Sequence, residues 1–569
     1  MFQPGKVSSD RDAILVCALP AVATYLWLKW YEAKSLSTLT VLLGVVPAFS
    51  TVLLSQSLSF LRAASLSFVV HYAVVLSCAC LYRLSPFHPL APYPGPFLCK
   101  ISKLWLVYMT SRGKLHLYFH ELHSRYGPIV RVGPNELSTT EVDIFPFILG
   151  PQGMPKGSLW EGRRISGKRG AGAKNAKGHL IGARDKKLHA ESRRVWNRAF
   201  TTAAVKGYEP ILIRRTAQLS EELNERCAEQ PQREVEADLS QWLSYFTFDF
   251  MGDMVFGGGF ELMHDGDKDG IYKTMVAGLQ LPALTQQIPW IAPSLSYLPY
   301  IGRHMKALGD FAFKQVTHRM QEGSIQNDLF YHLLDEAPED RKPPPFPVIM
   351  TNAVTAMLAG SDTTAVALCN VFYCILAHPA CYTLLQQEVD AAFPPGQGEP
   401  VDASKLASME YLNAVINEAL RLYPSIPTSL QRSPTPGSGS HAIGNRLVVS
   451  EGTGVFVSPY AVQRDSRYFA PHPDSFMPQR WLARRDDKGS ENMPFTVNPD
   501  AFIPFSSGPA NCVGRPVAIL AMRMVLAYLL QHFNMRLADG YDKAQWVEEL
   551  RDYFAFQKGT LPVFLKPRT

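Results

Sequence analysis

Charged side chains are scarce in this sequence: Asp, Glu, Lys and Arg make up 19% of its 569 residues, against roughly 25% in an average soluble domain. The net charge of +6 is small for that length and speaks against a supercharged nucleic-acid binder, so no nucleic-acid partner is expected. Nine cysteines are too few for a disulfide scaffold. Their odd number leaves at least one thiol unpaired and favours a reducing compartment. Glycine, at 39 residues, and proline, at 43, stand near background, which removes the collagen-like, low-complexity and disordered classes. From Phe97 onward no internal repeat is visible. What remains is a chain long enough for one large core with appendages.

The missing charge is concentrated. Ala13 to Leu28, Ser35 to Leu61 and Ala63 to Tyr82 contain no Asp, Glu, Lys or Arg. A spanning helix needs about 20 mostly apolar residues. The third stretch is adequate, the second long enough, and the first marginal, with Pro20 interrupting it. Two or three crossings are expected within residues 1–83. A cleaved signal peptide is the rival for the first stretch, but Leu28-Lys29-Trp30-Tyr31 reads as an interfacial anchor rather than a cleavage site. With three crossings, Lys29 and Lys34 share a side with Arg83, Lys100 and Lys103, and Lys6, Arg11 and Arg62 take the other. That bias places the following body in the cytosol. Residues 84–96 string prolines from Ser85 to Pro96 and predict a stiff, extended hinge.

Residues 97–569 read as one body, mainly α with a small β subdomain. Helical periods cover Leu104–Arg125, His189–Val205, Gln218–Ala228, Val348–Ala377, Ala380–Phe393 and Met409–Leu422. Short β-like runs stand at Ile129–Val132, Arg446–Val449 and Gly454–Val457. The Gly/Lys/Arg-rich run Lys168–Lys177, within Leu159–Lys187, predicts a solvated loop. Pro347 falls near a tolerated first-turn position of the long helix that follows.

Four sets of residues suggest chemistry. Phe505-Ser-Ser-Gly508-Pro-Ala-Asn-Cys512-Val-Gly514 runs from a glycine-punctuated loop into an apolar helix. A cysteine just before a helix amino terminus meets N–H donors and the positive end of the dipole, which favours a thiolate. Gly508 and Gly514 permit tight turns and close approach of a flat cofactor; a buried structural cysteine is the plain alternative. Asp362 and Thr363 interrupt an otherwise apolar helix, where an acid is costly unless hydrated or paired. Glu418 and Arg421 form an i, i+3 pair that, standing alone, reads as an exposed ion pair. His189 and Arg193 share a helix face at i, i+4, and a plain basic face would account for them too.

In this order the motifs resemble the cytochrome P450 monooxygenases. Phe505-x-x-Gly508-x-x-x-Cys512-x-Gly514 is similar to the haem-ligand loop, Glu418-Ala-Leu-Arg421 to the ExxR helix, Phe476-Met-Pro478-Gln-Arg480-Trp481 to the PxRW segment, and Ala359-Gly-Ser-Asp362-Thr363-Thr364 to the oxygen-activation helix. The resemblance implies the P450 fold after a transmembrane region and haem b, with Cys512 as axial iron ligand. It implies a buried network of Glu418, Arg421 and Arg480 supporting the loop. Ala359 and Gly360 would leave room for dioxygen, while Thr363 orders water and Asp362 relays protons. Arg193, His189 and, after the Pro427 turn, Arg432 would hold haem propionates. Ala510 stands where the family usually has a basic residue, so one propionate partner is missing. The resemblance further implies electrons from NADPH through NADPH-cytochrome P450 reductase, a lipophilic small-molecule substrate and an endoplasmic-reticulum membrane. The hinge and the Arg125–Leu137 and Arg464–Phe476 runs look most like fungal members, many of which tailor terpenoids or polyketides of secondary metabolism. A haem-thiolate isomerase or dehydratase, and a non-catalytic haem-binding membrane protein, are the rival readings. The Asp362–Thr363 pair argues against the isomerase or dehydratase, because only dioxygen cleavage needs its proton relay.

Overall fold

The computed structural model of the protein describes residues 10–31, 36–163, 180–229, 234–292, 299–323, 327–334, 344–435, 437–444, 446–482 and 495–568. The Lys168–Lys177 run lies outside the described residues. Three amino-terminal helices pack on one another: Asp10–Trp30, a helical stretch from Leu36 to Leu54, and Phe60–Leu84. All three are long and apolar enough to cross a membrane. Asp10–Trp30 continues through Pro20 without a break, so the proline does not divide it. The second helix stops at Leu54, short of Leu61, where Ser55 to Ser59 turn the chain. The expected extended hinge is instead a run of turns docked on the body. His88 and Leu90 are buried, the Arg131 amide donates to Pro94 O, and the Arg131 guanidinium donates to the carbonyls of Arg83 and Pro134.

The body is mostly helical, as its periodicity predicts. Two predicted helices are split. Leu104–Arg125 divides at Gly113, whose φ of +65° lies in the left-handed region and whose carbonyl accepts from the Asp552 amide; a Cβ there would sit 2.7 Å from Arg551. His189–Val205 divides between Lys186–Arg198 and Thr202–Ala228, because the Thr201 hydroxyl caps the second helix by accepting from the Ala204 amide. Leu239–Phe256, buried nearly all round, has no periodic stripe to betray it in the sequence. It packs along Phe346–Ala377, the 32-residue central helix, which begins with proline in its first turn. That helix is also apolar enough to cross a membrane, but it is largely buried within the protein. Its apolar length therefore builds the core.

The small β part lies beside the helical mass. Its largest sheet runs Ile129–Gly133, Glu136–Thr139, Gly454–Val457, Leu430–Arg432, with the middle pair parallel and the outer pairs antiparallel. Leu447–Val449 joins a separate hairpin with His441–Ile443. A further hairpin, Arg551–Tyr553 with Ala555–Gln557, turns beside the central helix. All nine cysteines are free thiols.

Candidate active site

Cys512 ends a tight loop. Gly508 to Ala510 form a single 3-10 turn, and the Cys512 amide closes the loop on Phe505 O at 2.9 Å. Gly508 has φ +71°, and a Cβ there would lie 2.0 Å from Leu149 O, so only glycine fits. The helix Arg515–His532 starts directly after Gly514. Burial pushes the Cys512 thiol up, while the amides of Gly514 and Arg515 and the charges of Arg193 and Arg515 pull it down. The Cys512 side chain keeps accessible surface.

Beneath this loop lies a charge network. Glu418 and Arg421 are 0% exposed and Arg480 2%. Arg421 clamps Glu418 with Nε and Nη2, each at 2.8 Å, and Arg480 Nε approaches it at 3.3 Å. The Trp481 indole and the Met477 amide donate to the same carboxylate at 2.9 and 3.0 Å. The remaining guanidinium donors meet the carbonyls of Gln463, Pro473, Ser475, Ala470, Pro471 and His472. Gln463 links this network to the thiol loop. Its Oε1 accepts from the Ile503 amide at 2.9 Å, and Ile503 O accepts from the Ser506 amide beside Phe505. Sequence reasoning did not single out Gln463, whose only signal is its place just before the Arg464–Phe476 run.

On the central helix, Ala359 and Thr363 both keep accessible surface. The Thr363 hydroxyl donates to Ala359 O at 2.6 Å, and Ser425 Oγ donates to Thr363 O at 2.9 Å. Asp362 is buried, and its Oδ2 has no partner among the described residues. Burial pushes its carboxyl up, and the charge of Lys558 pulls it partly back. Gly360 differs from expectation. A Cβ there would meet Met251 at 2.6 Å, so its smallness serves packing against Leu239–Phe256 rather than room for dioxygen.

The propionate candidates come together with a residue the sequence did not flag. Lys156 pairs with Arg432 through an isolated β-bridge, and its ammonium donates to Leu180 O at 3.1 Å and Ile181 O at 2.6 Å. Burial pulls Lys156 down to about 7, helped by the charges of Arg432 and Arg193. His189 is pulled down to about 4 by burial and by Lys156, Arg193 and Arg432. Arg432 is 3% exposed and donates to Gln431 O. Among the described residues no carboxylate pairs with any of these four basic side chains. Arg193 also straps the thiol loop: Nη2 donates to Asn511 Oδ1 at 2.7 Å and Nη1 to Asn511 O. Ala510 leaves no basic group on the loop before the cysteine.

Buried Arg432 and Lys156, with partly buried Arg193 and His189 beside them and no carboxylate partner among the described residues, form a basic cradle that an anion would satisfy. With it in the same body stands a thiol flanked by helix-terminal amides, Cys512. This donor set fits haem, with its two carboxylates and a metal for the sulfur. Residues 91–556 match the family model of cytochrome P450. Among curated proteins, the cytochrome P450 monooxygenase FCK2 of Fusarium pseudograminearum is 30% identical over 520 residues, covering 90% of this chain and 89% of that protein. The trichothecene C-15 hydroxylase of Fusarium sporotrichioides is 30% identical over 487 residues, 85% and 94%. The tryprostatin B 6-hydroxylase of Aspergillus fumigatus is 29% identical over 523 residues, 90% and 87%. The chain belongs to the cytochrome P450 family and is a monooxygenase of the haem-thiolate type, served by a redox partner.

Proposed function

We propose that this enzyme inserts one oxygen atom of O2 into a lipophilic small molecule of fungal secondary metabolism, of terpenoid or polyketide type. Residues 1–83 anchor it in the endoplasmic-reticulum membrane, residues 84–96 join the anchor, and residues 97–569 form the catalytic domain on the cytosolic side. Electrons come from NADPH through NADPH-cytochrome P450 reductase. The observation that carries this reading is buried Asp362 next to partly accessible Thr363, set in a helix otherwise apolar enough to span a membrane. An isomerase or dehydratase has no use for a proton path at that point.

When bound, haem supplies dioxygen activation. The chain's own residues do the rest. Cys512 gives its sulfur to the iron, and Phe505, Gly508 and Gly514 shape the loop that presents it. Glu418, Arg421 and Arg480 hold that loop through Gln463. Arg193, His189 and Arg432, joined by Lys156, take the propionates in place of the missing basic group at Ala510. Thr363 donates to Ala359 O and keeps its lone pairs for a water. Asp362, raised by burial, holds a proton more readily than an exposed carboxylate and passes it on at Oδ2. The apolar surroundings exclude bulk water.

The test is the carbon monoxide spectrum of the reduced full-length protein, joined to 18O2 labelling of product. The expected result is the red-shifted Soret band of thiolate-ligated haem, lost in Cys512→Ala, with one labelled oxygen in the product. A normal band in Cys512→Ala would overturn the ligand assignment, and label-free product would overturn the oxygen-insertion reading.

A further inference from the structure

Arg163 follows the helical turn Leu159–Gly162, and its surroundings are built. Thr285 Oγ1 donates to Gly162 O at 2.5 Å, and a Cβ at Gly162 would lie 2.2 Å from Thr285 O, so the turn is pressed onto the helix Gln280–Thr285. The guanidinium lies 3.5 Å from the Phe554 ring centroid, and Nη1 donates to Gln286 Oε1 at 3.2 Å. Phe554 tips the Arg551–Gln557 hairpin at φ +87°, an uncommon conformation for a non-glycine residue, and its other neighbour is the edge of Trp160 at 5.6 Å. The same hairpin leads to the oxygen side. The Phe556 amide donates to Ser425 O at 2.9 Å, and Ser425 Oγ donates to Thr363 O. Arg163 and Thr363 are therefore linked through the hairpin and Ser425. Arg163 keeps part of its surface accessible.

Its charge is poorly met. A guanidinium carries five N–H donors, and among the described residues its hydrogen-bond acceptor is the neutral amide of Gln286. Asp552, the acid whose charge reaches Arg163, has its oxygens engaged elsewhere: Oδ2 accepts from Thr428 Oγ1 at 2.7 Å and Oδ1 from the Phe554 amide at 3.2 Å. Burial works against the Arg163 charge, but a guanidinium does not release its proton in proteins. The desolvation cost stands until a better acceptor arrives. A carboxylate matches the planar fork in both charge and shape.

Resting on the monooxygenase reading above, we propose that Arg163 is the polar anchor for the substrate, which is an apolar molecule bearing a carboxylate. The carboxylate pairs with the guanidinium beside Phe554, and the apolar remainder runs along the hairpin toward Ala359 and Thr363. Arg163 thereby selects acidic lipophiles and fixes which carbon is presented for oxidation.

The test uses the full-length haem-loaded protein with dodecanoic acid, methyl dodecanoate and 1-dodecanol as probes, read by spectral titration and by equilibrium dialysis. The wild type should bind the acid about tenfold or more tighter than the ester or alcohol. Arg163→Gln should bring the acid down to the alcohol's affinity while the neutral probes stay within about threefold. Arg163→Lys should keep part of the preference. Equal affinity of acid and ester in the wild type, no binding of the acid, or an equal loss for all probes in Arg163→Gln would overturn the proposal. If Arg163→Gln does not load haem, the wild-type ratio and Arg163→Lys decide it. Failure here leaves the carbon monoxide band of the wild type intact, whereas failure of the monooxygenase reading removes that band itself.

Discussion

Replacing Glu418 by alanine leaves two buried guanidinium groups without their carboxylate. In the native protein that carboxylate receives five donors, from Arg421 Nε and Nη2, Arg480 Nε, the Trp481 indole and the Met477 amide. Six backbone carbonyls complete the two guanidinium groups, but carbonyls are dipoles and carry no net charge. Removing one partner of a buried ion pair costs roughly 3–5 kcal/mol. Summing hydrogen bonds to charged groups at about 1.5–3 kcal/mol each would exceed that, because bonds in one network are not additive. About 4 kcal/mol corresponds to about a thousandfold in the equilibrium and consumes much of a total stability of about 5–15 kcal/mol. Because Gln463 ties this network to Ile503 and the Cys512 loop, the loss falls on the loop that presents the thiol.

The assay is the fraction of polypeptide showing the thiolate carbon monoxide band, together with the thermal half-time of that band. Glu418→Ala should give little or no loaded protein, and Glu418→Gln, which keeps one acceptor oxygen, an intermediate amount. Replacing Glu418, Arg421 and Arg480 together by methionine should recover part of the loading, since well-packed apolar groups often replace a buried triad at small cost. Wild-type loading in Glu418→Ala would refute the reasoning and show that the carbonyls alone satisfy Arg421 and Arg480.

Thr363→Ala should retain haem and much of the NADPH consumption while diverting oxygen to hydrogen peroxide; full coupling in the variant, measured as product formed per NADPH, would deny Thr363 its role. Asp362→Asn should lower kcat more than it alters substrate affinity, because the proton path matters along the reaction and not in the ground state. Asp552 is raised by burial to about 7, so the folded state favours its protonated form. Stability should fall as pH rises from about 4 to about 7 and level off above, with about 4 kcal/mol at stake. Asp552→Asn should flatten that slope, and identical pH profiles of thermal inactivation in the two proteins would contradict it. Deleting residues 1–81 removes all but the end of the third apolar helix and keeps the Arg83 carbonyl that accepts from Arg131. The truncated protein should partition into the soluble fraction with its haem.

The thiol side of the site was legible because its determinants are local. Gly508 takes φ +71° within the loop's own turn, Cys512 precedes a helix by a fixed number of residues, and Glu418 and Arg421 meet within one helical turn. Each of these is a spacing along the chain. Lys156 and Gln463 were not legible for the opposite reason. Lys156 acquires its meaning from Arg432, 276 residues away, through a bridge that no spacing announces. Gln463 acquires its meaning from Ile503. The helix Leu239–Phe256 was missed because burial on every side erases the stripe that sequence periodicity detects. Gly360 was misread because its motif suggests open space, and only the packed structure reveals Met251 occupying it.

The same contrast explains why the family is plain and the substrate is not. Haem is one ligand with two carboxylates and one metal, and holding it requires particular residue types at particular places. The proposed substrate wall would be assembled from the turn before Arg163, the helix Gln280–Thr285, the turn at Ser425 and Thr428, and the Arg551–Gln557 hairpin. These four segments are far apart in sequence and meet through hydrogen bonds that many side chains satisfy. An apolar lining constrains size and shape only weakly. A charged group set in such a lining is different, because its desolvation is costly wherever it is partly removed from water, and this is why the proposed anchor is Arg163.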